Sequence, residues 1–288
     1  MTTFPEQLKI IFADIKIQHT VFALPFALMS AFLAAGGLPD SETLFWIVVA
    51  MFGGRSAAMA FNRIVDAKYD KLNPRTENRA LPSGRVSVGR YWVFLIASSL
   101  LLVLAAAMLN RLALYLSPLA LALVFFYSLT KRFTAYSHLF LGLALAVAPV
   151  GAWVAVREEI SPAALLLGAA VVFWLAGFDI IYACQDVESD RRNRLRSLPA
   201  ALGVARALML ARFFHAVMVG MLLLLLPAFP LLGNLYLAGV VLVAGLLAYE
   251  HSLVRSDDLS KVNIAFFNVN GVIGVLLMAL VIADCIWV

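Results

Sequence analysis

Charge is scarce in this chain: 14% of its 288 residues are Asp, Glu, Lys or Arg, while 63% are hydrophobic. Soluble domains average about 25% charged residues, so the deficit excludes an ordinary water-soluble fold. Cysteine is nearly absent, with Cys184 and Cys285 alone. The expected topology puts them at opposite ends of a bilayer, too far apart for a disulfide. No CxxC or Cys/His spacing suggests a cysteine metal centre. Sustained alternation of apolar and polar residues is missing, which disfavours a transmembrane barrel. The net charge of +5 is dispersed in short groups between apolar runs. It therefore serves orientation in the membrane rather than nucleic-acid binding.

What the chain has instead is a succession of continuous apolar runs, each near the roughly 20 residues that cross a bilayer. The pattern predicts an all-α polytopic membrane protein with nine transmembrane helices. They fall at about 17–36, 43–65, 91–109, 112–130, 136–156, 163–185, 207–229, 233–250 and 263–286. The breaks carry turn residues, as in Gly36-Gly37-Leu38-Pro39-Asp40 and Ser256-Asp257-Asp258. Phe4 to Lys16 predicts a short interfacial helix with Phe4, Leu8, Ile11, Phe12 and Ile15 on one side. The apolar run after Lys16 could be mistaken for a signal peptide, but it continues to Gly37 and reads as a retained first span.

Nine spans place alternate loops on opposite sides. One side collects Lys9, Lys16, Lys68, Lys71, Arg75, Arg79, Arg85, Arg90, Lys131, Arg132, Arg191, Arg192, Arg194, Arg196, Arg206, Arg255 and Lys261; the other collects Arg111 and Arg157. That asymmetry predicts that the basic side is cytoplasmic. A multi-pass protein of a bacterial-type inner membrane is the expected setting.

Two polar stretches interrupt the apolar pattern on that basic side. The first is NRIVDAKYDKLNPRTENRALPSG, residues 62–84. Asn62, Asp66 and Asp70 recur at four-residue steps, which stacks them on one helix face. The second is DIIYACQDVESDRRNRLRSLPAALG, residues 179–203. Asp186 and Asp190 follow Asp66 and Asp70 by 120 residues, and Arg196-Ser197-Leu198-Pro199 echoes Arg79-Ala80-Leu81-Pro82. The spacing reads as a degenerate internal repeat, two halves that each present an acidic helix end.

Carboxylates at the end of a membrane span are costly and mark function. Four around one cavity would repel one another. A divalent cation relieves that repulsion, and Mg²⁺ binds through one or two carboxylates plus substrate phosphates. Asp66, Asp70, Asp186 and Asp190 are therefore the candidate catalytic metal ligands, with Asn62 as a possible amide ligand; solvated aspartates paired with nearby arginines are the alternative. Lys68, Lys131 and Arg132 are candidate diphosphate ligands, although plain topogenic charge would also account for Lys131-Arg132. Lys16 and His19, at the entry to the first span, are ambiguous in the same way. Arg55, deeper on the face of Asn62, needs an anion, either from a substrate or from a buried acid such as Asp179. Asp179 and Tyr182 share a face with Asp186 and are candidate acceptor-binding residues; Asp179 could orient the acceptor, take a proton, or only bond a neighbouring helix. Acids, Mg²⁺ and a cationic rim in a lipid-embedded chain suggest a lipid diphosphate substrate, with Mg²⁺ stabilising the leaving diphosphate. If the lipid is a polyprenyl chain, an allylic cation remains, which an electron-rich ring attacks before losing a proton.

These motifs resemble those of the UbiA-type intramembrane aromatic prenyltransferases. That family's NxxxDxxxD, followed by N-P-R-T and R-x-L-P-x-G, is matched by Asn62, Asp66, Asp70, Asn73 to Thr76 and Arg79 to Gly84. Its D-x-x-Y-A-x-x-D-x-x-x-D is matched by Asp179, Tyr182, Ala183, Asp186 and Asp190. The resemblance implies one transmembrane prenyltransferase domain over 1–288, with both acidic motifs holding Mg²⁺–diphosphate. It also places Lys131-Arg132 as a basic pair near the active site. The stretches IKIQHTVFALPFAL and GFDIIYACQDVESDR resemble the 4-hydroxybenzoate polyprenyltransferase-like branch. Within it they are closest to members of the futalosine route to menaquinone. The implied partners are a polyprenyl diphosphate, a hydroxylated aromatic acid (4-hydroxybenzoate or a dihydroxynaphthoate) and the bilayer.

A transporter with an internal repeat is the reading from another class. It predicts charges near mid-bilayer in paired spans, whereas the acids here cluster at one end. A CDP-alcohol phosphotransferase would need a D-G-x-x-A-R element, which the chain lacks. Family members acting on other acceptors carry different flanking sequences.

Overall fold

The computed structural model describes residues 4–15 and 22–287, and it is helical almost throughout. Lys16, His19 and the side chain of Phe4 lie outside what it describes. The helices are α1 (Phe4–Asp14), α2 (Leu24–Ala35), α3 (Ser41–Asp70), α4 (Val88–Leu109), α5 (Arg111–Thr130), α6 (Ser137–Arg157) and α7 (Pro162–Ala183). A 3₁₀ turn, Cys184–Asp186, leads into α8 (Val187–Arg192). Then come α9 (Leu198–Leu202), α10 (Val204–Ala228), α11 (Asn234–Leu253), a π-helical turn Ile264–Val269 and α12 (Asn270–Trp287). Among the described residues, eight segments are long and apolar enough to cross a membrane, and α2 is a shorter apolar helix. Of the expected first span, 17–36, residues 22–36 are described; the other eight expected spans each coincide with a long helix.

Local chemistry sets the boundaries. The Asp40 carboxylate caps α3 by accepting the backbone N–H groups of Glu42 (2.8 Å) and Thr43 (3.3 Å). Ser161 caps α7 in the same way through Ala164 N–H (3.1 Å), with Pro162 in the first turn where its missing N–H costs nothing. Helix α2 stops at Gly36, whose φ of 67° is the left-handed conformation that glycine adopts without penalty.

The most deeply packed element is α7, and it packs chiefly against α6 and α10. Trp174, Leu175, Ile180 and Ile181 along it are fully buried. Backbones approach where side chains are smallest, because interhelical packing in lipid depends on close contact. A Cβ on Gly142 would lie 2.6 Å from the Val172 carbonyl oxygen, and one on Gly177 would overlap the His215 ring. Large apolar residues such as Phe45, Leu100, Leu119 and Leu224 face outward, as lipid contact requires.

One polar network interrupts this apolar interior. Trp174 Nε1 donates to Asn270 Oδ1 (2.8 Å), Asn270 Nδ2 donates to Glu250 Oε1 (2.9 Å), and His215 lies between Trp174 O (3.1 Å) and His251 (3.0 Å). It ties α7, α10, α11 and α12 together, and among the described residues Glu250 Oε2 within it is buried without a hydrogen-bond partner.

Helix α1 is not merely laid on the surface. Ile11 and Ile15 are buried as its pattern predicts, and so is Gln7. Its last residue, Asp14, accepts from Arg63 Nε (3.0 Å), Tyr91 O–H (2.6 Å) and Ala80 N–H (3.0 Å). That junction fixes the first polar stretch against α3 and α4.

Candidate active site

The ends of α3, α5 and α7 and the start of α6 meet at one end of the bundle. Asn62, Asp66 and Asp70 occupy the last turns of α3, on one face as their spacing requires. Asn62 is held on both sides: its amide donates to Asp66 Oδ2 (2.8 Å), and its Oδ1 accepts from the buried Arg63 (3.2 Å). Asp66 also meets Arg132 at 3.4 Å. Asp70 is nearly buried and accepts Arg79 Nη1 on both oxygens at 2.8 Å.

The segment after α3 is a chain of tight turns that returns across the bundle end. Thr76 Oγ1 donates to the Asp70 carbonyl (3.0 Å), and the Asn73 side chain accepts the Arg75 N–H (3.0 Å). This Asx-type turn beside the rigid Pro74 aims Arg75 at the second motif. Arg75 donates to Asp186 through Nε (3.0 Å) and Nη2 (2.7 Å), and through Nη1 to Tyr182 O–H (3.2 Å). The two motifs, more than a hundred residues apart, thus become one cluster through a forked charge-assisted bond.

The second motif differs from the first in its backbone. Helix α7 ends at Ala183, and the 3₁₀ turn carries Asp186 before α8 restarts. Asp186 and Asp190 therefore do not share one unbroken helix as Asp66 and Asp70 do. Arg196, the echo of Arg79, turns away to donate to the Phe133 carbonyl (2.6 Å). Asp190 is buried, and its Oδ2 has no hydrogen-bond partner among the described residues.

Lys131 caps α5 in the middle of these acids. Burial disfavours its ammonium, but the charges of Asp190, Asp179, Asp186 and Asp66 outweigh that and push its pKa up. Burial likewise opposes the Arg75 charge, and Asp186 more than compensates, so its pKa is raised. Arg132 adds a bond to the Val65 carbonyl (2.7 Å). Lys68 lies apart from the carboxylates but shares the Tyr69 ring with Arg132, whose guanidinium is 5.6 Å from the ring centre. The lysine is exposed, about 200° around α3 from Asp66. Arg55 lies half-buried two turns below Asn62. Among the described residues Asp179 is not paired with Arg55; it accepts from His138 Nδ1 at 2.6 Å.

His138, Asp14 and Arg63 did not emerge from the sequence. A buried histidine at the start of α6, just beyond Lys131-Arg132, was the one available signal.

Among the described residues, no three His, Cys, Asp or Glu side chains converge closely enough to cage an ion. The acids come instead from two helix ends, mostly facing basic groups, and Asp190 leaves one buried oxygen unmatched. Such a donor set fits Mg²⁺, which is commonly held by one or two carboxylates together with substrate phosphates.

Residues 23–272 match the UbiA prenyltransferase family. The chain belongs to that family. It is 33% identical over 251 residues to the 4-hydroxybenzoate octaprenyltransferase of Vibrio cholerae, covering 84% of this chain and 85% of that one. Among solved structures, a UbiA homologue from Aeropyrum pernix K1 superposes with a TM-score of 0.84 at 35% identity, covering 93% of this chain and 98% of that one. A UbiA homologue from Archaeoglobus fulgidus, solved bound to DMAPP and Mg²⁺, has the same fold (TM-score 0.72, 19% identity, 96% and 98% covered). As a UbiA-family chain, it carries both acidic motifs at the same end of the bundle.

Proposed function

We propose that residues 1–288 act as one transmembrane prenyltransferase domain. It moves a polyprenyl group from polyprenyl diphosphate to a ring carbon of a hydroxylated aromatic acid, 4-hydroxybenzoate or a dihydroxynaphthoate, in quinone biosynthesis. The observation that carries this reading is the joining of the two acidic motifs by Arg75, with Lys131 set among their carboxylates. Asp66, Asp70, Asp186 and Asp190 would hold Mg²⁺, with Asn62 orienting Asp66. Bound there, Mg²⁺ supplies Lewis-acid stabilisation of the leaving diphosphate.

The chain's own cations do the rest at that end. Lys131, Arg132, Arg75 and Arg79 neutralise the diphosphate oxygens as the C–O bond breaks, a charge-stabilising role that is strongest where water is excluded. Lys68, across α3 from Asp66, shares the Tyr69 ring with Arg132 and joins them at the outer rim. The prenyl tail would lie among the apolar helices below, and the acceptor near Arg55, Asp179 and Tyr182. The Lys/Arg asymmetry of the loops supports an inner-membrane protein with this end facing the cytoplasm.

The test is prenylation by membranes or purified protein supplied with Mg²⁺, polyprenyl diphosphates of several lengths, and both acids in competition. Product should form, stop with EDTA and resume when Mg²⁺ is returned. Folded protein that prenylates neither acid at any chain length would refute the proposal, and the competition identifies the acceptor.

A further inference from the structure

Below the acids lies a pair that neither metal nor diphosphate binding requires. His138 is fully buried, and both its ring nitrogens are engaged. Nδ1 lies 2.6 Å from Asp179 Oδ2, and Nε2 lies 3.4 Å from the Leu198 backbone N–H. That backbone N–H can only donate, so Nε2 accepts and Nδ1 carries the proton. The ring is thereby fixed as a neutral donor to Asp179. Leu198 is held in turn, because Ser197 caps α9 and Arg196 N–H donates to the Lys131 carbonyl (2.7 Å).

Asp179 differs from its neighbours on α7. Phe178 and Ile180 are buried, but the Asp179 side chain keeps 19% of its surface exposed. Only its Oδ2 is bonded among the described residues, so Oδ1 is open. The carboxylate lies one turn deeper than Tyr182 and within the electrostatic reach of Lys131. A helix–helix bond alone would need no open oxygen.

Resting on the prenyltransferase reading, we propose that Asp179 takes the proton the aromatic ring loses, and that His138 is the positioning residue that orients its carboxylate. The C–O bond of the prenyl diphosphate breaks, and its electron pair leaves with the diphosphate. A ring π pair forms the new C–C bond. The proton on that ring carbon passes to Asp179 Oδ1, and the C–H pair restores the aromatic ring. Asp179 then returns the proton to water as product leaves. The Nδ1–H bond of His138 is unbroken throughout and keeps Oδ1 aimed at the ring carbon.

The experiment compares ring-protonated with ring-deuterated acceptor, using wild type, His138→Ala, His138→Asn and Asp179→Asn. Wild type should show an isotope effect near unity, because deprotonation follows a slower ionisation. His138→Ala should lose about 100-fold in kcat, keep its KM for prenyl diphosphate, and gain an isotope effect clearly above unity. His138→Asn, whose amide can donate from the same place, should recover much of the rate. Asp179→Asn, nearly isosteric, should still release diphosphate while forming little prenylated product; it also decides the matter if His138→Ala fails to fold. A folded His138→Ala enzyme with no isotope effect, or Asp179→Asn with wild-type product formation, overturns the inference. An inactive wild type would instead refute the prenyltransferase reading beneath it.

Discussion

Arg75 offers the sharpest test of the joined-motif geometry. Its fork to Asp186, at 3.0 and 2.7 Å, and its third bond to Tyr182 at 3.2 Å couple the segment after α3 to the end of α7. Lysine would keep the charge but lose the planar fork. The Arg75 side chain is 36% exposed and that of Asp186 10%, so the pair is partly screened. A bidentate pair in that setting should carry a coupling energy of about 1–2 kcal/mol, above the median for surface pairs. In a double-mutant cycle of Arg75→Ala and Asp186→Ala, that coupling corresponds to an apparent melting shift on the order of 2–4 °C in detergent. The functional cost should be larger than the loss of stability. Displacing a positioned group by about 1 Å can lower a rate by roughly 100-fold, so Arg75→Lys should fall by about 10- to 100-fold in prenyl transfer while melting near wild type. Wild-type activity in Arg75→Lys, or a cycle with no coupling, would show that the two motifs do not work through this residue.

Three further outcomes follow from the packing. Gly177→Ala drives a methyl into the His215 ring and should cost about 1–3 kcal/mol as an overpacked core; adding His215→Ala should recover part of the loss, measured by thermal unfolding. Asp14→Ala leaves the buried Arg63 without its carboxylate (side chains 7% and 4% exposed). It should destabilise by about 3–5 kcal/mol, visible as a lowered melting temperature, whereas a surface acid would barely register. Glu250→Gln keeps an acceptor for Asn270 while removing the desolvation cost of a buried carboxylate, so it should melt close to wild type. Glu250→Ala should lose about 1–3 kcal/mol in the same measurement.

The sequence by itself determined the membrane class, the positions of the long helices and the two acidic ends. Each depends on local properties: apolar length, turn residues and the helical period that stacks Asn62, Asp66 and Asp70. It also located the basic loops, because Lys and Arg distribution is a one-dimensional property. What it could not decide was pairing. That His138 meets Asp179 depends on how α6 packs against α7, and close packing is set by small residues such as Gly142 whose partner is invisible in the chain. Lys68 looked equivalent to Lys131 as a cation near acids, yet helix rotation carries it away while the end of α5 delivers Lys131 among four carboxylates. The degenerate repeat likewise predicts two halves that each present an acidic helix end. Tertiary structure broke the symmetry by pairing Asp70 with Arg79 and leaving Asp190 with a bare buried oxygen, because Arg196 was drawn to the Phe133 carbonyl.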